Sequence, residues 1–179
     1  KLRMTFFKEK LTEIKAFVFD VDGVLSSEKQ LLSPDGETIR SSNLKDGFAM
    51  MAAVRKGYLI GVITGGRTIE VINRCKKTGI KDIYTGSLDK LPCFLDFMQK
   101  NNLKKEEIIY MGDDLPDYPP MIEAGLAVCP KDAAPEIKAI SAYISERNGG
   151  EGCARDIIEQ VMRAQKTWII PESMDWSKF

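Results

Sequence analysis

The 179 residues include 26 Lys or Arg and 26 Asp or Glu, so the chain carries no net charge and has no electrostatic reason to seek nucleic acid or an anionic membrane. Its length fits one domain with a sizeable core, because a domain of about 150 residues already buries roughly two-thirds of its unfolded surface. It has no histidine, which excludes Ser-His-Asp and Cys-His hydrolysis and leaves carboxylates, Lys and Thr to carry chemistry.

The first strand is expected over Ile14 to Asp20 and runs out through Phe17-Val18-Phe19-Asp20-Val21-Asp22-Gly23. Asp20 and Asp22 leave the same strand face roughly 7 Å apart, and Gly23 lets the backbone curl so that the two carboxylates converge. Two like charges are costly to bury without a cation. The pair therefore suggests a hard metal ion and an oxygen-rich substrate such as a phosphate, although Asp-Gly by itself also opens ordinary turns. Leu25 to Leu44 follows, centred on Ser33-Pro34-Asp35-Gly36, and reads as a β-hairpin able to flap over that site.

From there strands and helices alternate. Helix Gly47 to Arg55 precedes strand Tyr58 to Thr64, and helix Thr68 to Thr78, closed by Gly79, precedes strand Asp82 to Tyr84. Helix Asp89 to Asn101, strand Ile108 to Gly112, helix Asp117 to Glu123 and strand Leu126 to Val128 come next. Helix Ala134 to Ala139, strand Ala142 to Ile144 and helix Gly152 to Gln165 complete the pattern. The alternation predicts an α/β fold with a doubly wound, mostly parallel sheet. The core is expected over residues 1–165, with a flap at about 25–44 and a tail over 166–179.

Two further strand ends fall beside the first. Strand two ends Val62-Ile63-Thr64-Gly65-Gly66-Arg67, where the Thr64 hydroxyl, glycine amides and a helix N-terminus suit a phosphate, although alone this is an ordinary strand-to-helix turn. Lys90 opens a helix, where a positive charge opposes the dipole, so an anionic partner is expected. Ile109-Tyr110-Met111-Gly112 empties into Asp113, Asp114 and Asp117, three acids just after a buried strand.

The ordered set Asp20-x-Asp22, Thr64, Lys90 and Gly112-Asp113-Asp114-x-x-Asp117 resembles the four motifs of the haloacid dehalogenase superfamily of phosphohydrolases, across residues 14 to 163. Asp20 to Leu25, Lys45-Asp46-Gly47, Thr64 to Arg67 and Arg147-Asn148-Gly149-Gly150-Glu151-Gly152 further resemble its capless sugar-acid phosphatases. Those enzymes act on 3-deoxy-D-manno-octulosonate 8-phosphate in lipopolysaccharide precursor synthesis, or on nine-carbon sugar acid 9-phosphates. An acidic residue can replace Gly66 in the nine-carbon group, so Gly66-Arg67 favours the eight-carbon substrate.

The resemblance implies a Rossmann-like core without a cap domain, since neither the hairpin nor the span from Thr64 to Lys90 offers room for one. It implies that Asp20 forms an aspartyl-phosphate, that Asp22 is the acid and base, and that Thr64 and Lys90 hold phosphoryl oxygens. Mg2+ is expected on Asp20, the Asp22 carbonyl and Asp113, with Asp114 and Asp117 behind them. An acid cluster with Asp20 and Asp113 is the expected source of a raised Asp22 pKa. For the sugar acid, Gly65, Gly66, Arg67, Lys45, Asp46, Arg147, Gly149 and Gly150 are the candidates, with Arg74 and Arg155 behind them.

A homotetramer is also implied, in which the tail Trp168-Ile169-Ile170-Pro171 onward through Met174, Trp176 and Phe179 docks on a neighbour and closes its site. A phospho-accepting receiver domain is the rival from another class. There the phosphorylated Asp stands on strand three ahead of Thr and Lys; here strand three lacks it and the acid cluster follows Lys90. A silent scaffold is opposed by the complete motif set, and a phosphomutase by the missing cap. Cys75, Cys93, Cys129 and Cys153 form no Cys-x-x-Cys pair and are expected as buried thiols in a reducing compartment. Neither a run of about 18 apolar residues nor a signal peptide is evident, so a cytoplasmic place is expected.

Overall fold

The structure is a computed structural model that describes residues 7–36, 38–67, 69–169 and 175, leaving aside the side chain of Val71. Six strands form one sheet: β1 (Ala16–Phe19), β4 (Leu59–Ile63), β5 (Asp82–Tyr84), β6 (Ile108–Met111), β7 (Leu126–Cys129) and β8 (Tyr143–Ile144). Their order is β5-β4-β1-β6-β7-β8 and every pairing is parallel. β1 therefore lies at the centre, between β4 and β6. The chain reverses its direction of winding there, and at such a switch point the strand ends leave a crevice for a ligand.

Alternation along the central strands explains the two layers. Phe17 and Phe19 of β1 join Ile60, Val62, Ile109 and Met111 on one face, while Ala16 and Val18 join Ile108 and Tyr110 on the other. The first face is covered by α1 (Leu44–Arg55), α2 (Ile69–Lys77) and α6 (Cys153–Ala164), through Ala49, Met50, Cys75, Ile157 and Val161. The second is covered by α3 (Leu91–Lys100), α4 (Tyr118–Glu123) and α5 (Pro135–Ile140), through Phe94, Phe97, Met121 and Ile137. Each Phe, Ile, Val or Met among them contributes about 1.5–3 kcal/mol by leaving water.

Predicted and observed elements agree in order, and most boundaries shift by a residue or two; the largest shift is at the first long helix. Helix α1 starts at Leu44, not Gly47, because the Asn43 side chain accepts from the amides of Lys45 and Asp46 at 2.9 and 3.1 Å and so caps it. The hairpin is present as β2 (Leu31–Leu32) and β3 (Thr38–Ile39), paired antiparallel across the turn at Ser33–Gly36. Its strands stand off the core, with Leu31, Leu32 and Ile39 exposed.

The segment after α6 does not leave the domain at residue 166. Trp168 packs against the core, and the guanidinium carbons of Arg155 and Arg163 lie 5.3 and 5.9 Å from its ring. Ile170, Pro171, Met174, Trp176 and Phe179 lie outside the described residues. Cys75, Cys129 and Cys153 are buried, Cys93 is partly so, and all four are free. Among the described residues no helix is long and apolar enough to cross a membrane.

Candidate active site

Register brings the acids together. Phe19 pairs with Met111 and with Val62, so the three chains emerge side by side at the C-terminal edge of the sheet. One residue beyond Phe19 stands Asp20, two beyond Met111 stands Asp113, and one beyond Ile63 stands Thr64. With Lys90 and Asp117 they line a cleft of about 290 Å³, joined by Asp22, Gly65 and Asp114.

Lys90 is the hub. Its ammonium lies 2.8 Å from Asp20 Oδ2 and 2.8 Å from Asp117 Oδ1, and the three side chains are almost wholly buried. Asp117 is held in turn by the Tyr110 hydroxyl at 2.9 Å and by the Asp113 amide at 3.3 Å. Burial alone would lower the Lys90 pKa, but Asp20 and Asp117 outweigh it and hold the ammonium above its ordinary value. Burial, reinforced by Asp117, pushes Asp20 well above the usual carboxylate range despite Lys90. The same two causes push Asp113 up to about 7.

Oxygens of Asp20, Asp113 and Asp117 lie within 4.8 Å of one another. All three carboxylates line the cleft: both oxygens of Asp117 are engaged by Lys90, Tyr110 and the Asp113 amide, and those of Asp20 by the Val21 amide at 2.6 Å and by Lys90. In Asp20 and Asp113, ionisation suppressed by burial and by the charge of Asp117 is a cost that a divalent cation would relieve, so the donor set fits a hard metal ion. Gly23 makes room for it. The residue holds φ at +89°, and an added Cβ would sit 2.0 Å from Asp113 Oδ2.

Several expected site residues take other places. The Asp22 carboxylate turns from Asp20 and Asp113 to the hairpin: Arg40 Nε donates to Oδ1 at 2.6 Å, Arg40 Nη2 to Oδ2 at 3.0 Å, and Gln30 Nε2 also to Oδ1. Asp114 and Asp117 part company, because Asp117 is buried on Lys90 whereas Asp114 is exposed and caps the following turn through the Leu115 amide. Asp46 is buried in α1 and accepts from the Arg155 amide at 2.7 Å, capping α6 rather than facing the cleft. Burial pushes its pKa up to about 6, against the pull of the Arg155 and Gly152 amides.

Gly149 and Gly150 spend their amides inside the chain, on Asp132 and on the Val24 carbonyl, so they brace the turn after β1 instead of meeting a sugar. Lys45 and Arg147 line a separate cleft with Arg155 and Arg163. Arg74 lines a third cavity, of about 270 Å³, with Arg40 and Asp46. Arg67 is exposed and lies against Gly86, beside the cleft. Gly65 is in the cleft wall, and the Gly66 amide donates to Thr64 Oγ1 at 3.1 Å.

Arg40, Gln30 and Tyr110 escaped the sequence reading. A signal was available for the first two: with Leu31 opposite Ile39, residues 30 and 40 are the next pair across the hairpin.

Comparison with known proteins identifies the family. Residues 68–157 match the haloacid dehalogenase-like hydrolases. The 3-deoxy-D-manno-octulosonate 8-phosphate phosphatase of Salmonella typhi is 33% identical over 161 residues, covering 90% of this chain and 86% of that protein. The enzyme of that name from Moraxella catarrhalis, solved with magnesium, phosphate and KDO, superposes with a TM-score of 0.87 at 31% identity, covering 91% of this chain and 94% of that one. The cobalt-bound enzyme from Haemophilus influenzae superposes at 0.84 with 28% identity, covering 88% of this chain and 92% of that one. Sequence, fold and the four strand-end motifs thus agree that the chain belongs to the haloacid dehalogenase-like hydrolases.

Proposed function

We propose that the protein is a metal-dependent phosphomonoesterase that hydrolyses 3-deoxy-D-manno-octulosonate 8-phosphate to the free sugar acid and phosphate, in lipopolysaccharide precursor synthesis. The observation that carries the chemistry is the buried Asp20–Lys90–Asp117 array beside Asp113, at the switch point of the sheet. The substrate reading rests on the relatives of that activity, which match across most of the chain.

The cofactor is Mg2+, which Asp20, Asp113 and the backbone carbonyl of Asp22 would hold. When bound it offsets the repulsion between the Asp20 carboxylate and the phosphate dianion. Thr64, Gly65 and Lys90 line the cleft, where they would hold the phosphoryl oxygens. An Asp20 oxygen attacks phosphorus and forms the aspartyl-phosphate as the bond to the sugar oxygen breaks. Asp22 gives that oxygen its proton. In the second half a water attacks phosphorus, Asp22 takes the water's proton, and the Asp20 carboxylate is restored as inorganic phosphate leaves.

The same reading makes the protein a cytoplasmic homotetramer, with a neighbour's residues beyond Ile169 closing the cleft. Exposed Leu31, Leu32 and Ile39 on the hairpin and Leu88 at the cleft wall support it, since uncovered apolar surface of this kind marks an interface. The deciding experiment measures kcat/KM for eight- and nine-carbon ulosonate phosphates and for simple sugar phosphates. The eight-carbon ester should lead by at least about tenfold, or 1.4 kcal/mol. A nine-carbon preference would reassign the substrate, and equal turnover of all would remove the sugar-acid specificity.

A further inference from the structure

The hairpin lies outside the four motifs, yet two of its side chains end on Asp22. We propose that Arg40 is a positioning residue for phosphoryl transfer, fixing the Asp22 carboxylate at the side of the cleft where the sugar oxygen leaves. The inference rests on the reading of Asp22 as the proton donor given above.

The geometry is that of a clamp. Arg40 reaches both Asp22 oxygens through Nε and Nη2, at 2.6 and 3.0 Å, and Gln30 adds a third donor on Oδ1. A two-point pair from a planar guanidinium sets the direction of a carboxylate as well as its distance, which a single contact does not. Arg40 is also the better buried partner, its side chain 14% exposed against 35% for Asp22. It is seated against the phosphate loop: Nη2 lies 2.9 Å from the point a Gly66 Cβ would occupy, and that same point lies 3.5 Å from Thr64 Oγ1. The missing side chain at Gly66 is what admits the guanidinium between hairpin and loop. A general acid must stand within hydrogen-bond reach of the atom it protonates, and a misplacement of about 1 Å costs on the order of a hundredfold in rate.

Leaving-group dependence tests this. An alkyl ester such as a sugar-acid phosphate expels an alkoxide that needs a proton, whereas p-nitrophenyl phosphate expels a phenolate that does not. kcat/KM is the proper readout because it reports transfer to Asp20 and not the later hydrolysis common to both esters. Arg40→Gln should lower kcat/KM for the alkyl ester about thirtyfold or more, and for the aryl ester less than about threefold. Arg40→Lys should recover part of the loss. Gly66→Ala, which displaces the guanidinium without removing a charge, should move the alkyl-to-aryl ratio the same way. Asp22→Asn is the reference. If it shifts the ratio while Arg40→Gln lowers both esters equally, or neither, the role of Arg40 is overturned and that of Asp22 stands. If Asp22→Asn leaves the ratio unchanged, the proton-donor reading fails and the inference fails with it.

Discussion

At Lys90 one ammonium faces two buried carboxylates, each 2.8 Å away, so neither acid is left as an uncompensated charge. Burial first, and the negative charge of Asp117 after it, hold Asp20 and Asp113 above the usual carboxylate range. Asp20→Asn keeps the shape and an accepting oxygen but removes the nucleophile. The fold should survive and turnover should fall at least about a thousandfold, some 4 kcal/mol of transition-state stabilisation. Wild-type phosphate release by that variant would refute covalent catalysis.

Asp113 supplies a pH test. Its folded pKa, about 7, lies above the unfolded value, so the folded metal-free protein binds more protons than the unfolded chain over that interval. Stability therefore falls as pH rises toward 7 and stays lower above it. A metal competes with that proton. Mg2+ should raise the melting temperature more at pH 8 than at pH 6, and its affinity should drop up to about tenfold per pH unit below 7. An affinity that is flat from pH 8 to pH 6 would show that no proton on Asp113 competes with the metal in that range.

Helices α1 and α6 are tied by Asp46, whose Oδ1 takes the Arg155 amide while Oδ2 finds no partner among the described residues. With a folded pKa of about 6 and a lower unfolded one, Asp46 makes the fold less stable as pH rises to 6 and through it. Asp46→Asn retains an acceptor for the helix end and removes the buried charge. Thermal melts of the variant should gain less on going from pH 7 to pH 5 than those of the natural chain, and an unchanged pH response would show that burial does not raise the Asp46 pKa above its unfolded value. Asp46→Ala, which also loses the cap, should cost about 0.5–2 kcal/mol.

This pair also shows where sequence reading stops. Lys45-Asp46-Gly47 reads from sequence as one segment, but a helix turns successive side chains about its axis, so Asp46 faces α6 while Lys45 is exposed. Strand ends were easier. β1, β4 and β6 carry apolar runs that announce buried parallel strands, and the first one or two residues after each run stand at the sheet edge, which puts Asp20, Thr64 and Asp113 in one place. Nothing local links Asp22 to Arg40, which sits 18 residues away and reaches it only because the hairpin folds back.

Taken whole, the molecule has a complete set of reacting groups and an open cleft, with Leu88 exposed at its wall and an apolar hairpin beside it. If residues from a neighbour close that cleft, the position of the cut in a truncation series matters. Thr167 and Trp168 still belong to their own domain, since both amides bond the Met162 carbonyl and the Trp168 ring lies between Arg155 and Arg163. Ending the chain after Gln165 therefore strips a packed tryptophan as well as any closing segment, and its loss of stability would obscure the result. Ending it after Ile169 keeps that packing. The shorter cut should lower the melting temperature, whereas the Ile169 cut should leave it nearly unchanged while raising KM for the sugar-acid phosphate severalfold and weakening assembly in sedimentation. If the chain ended at Ile169 keeps both its KM and its assembly state, closure by a neighbour's tail is wrong, and the hairpin must shield the reaction from water alone.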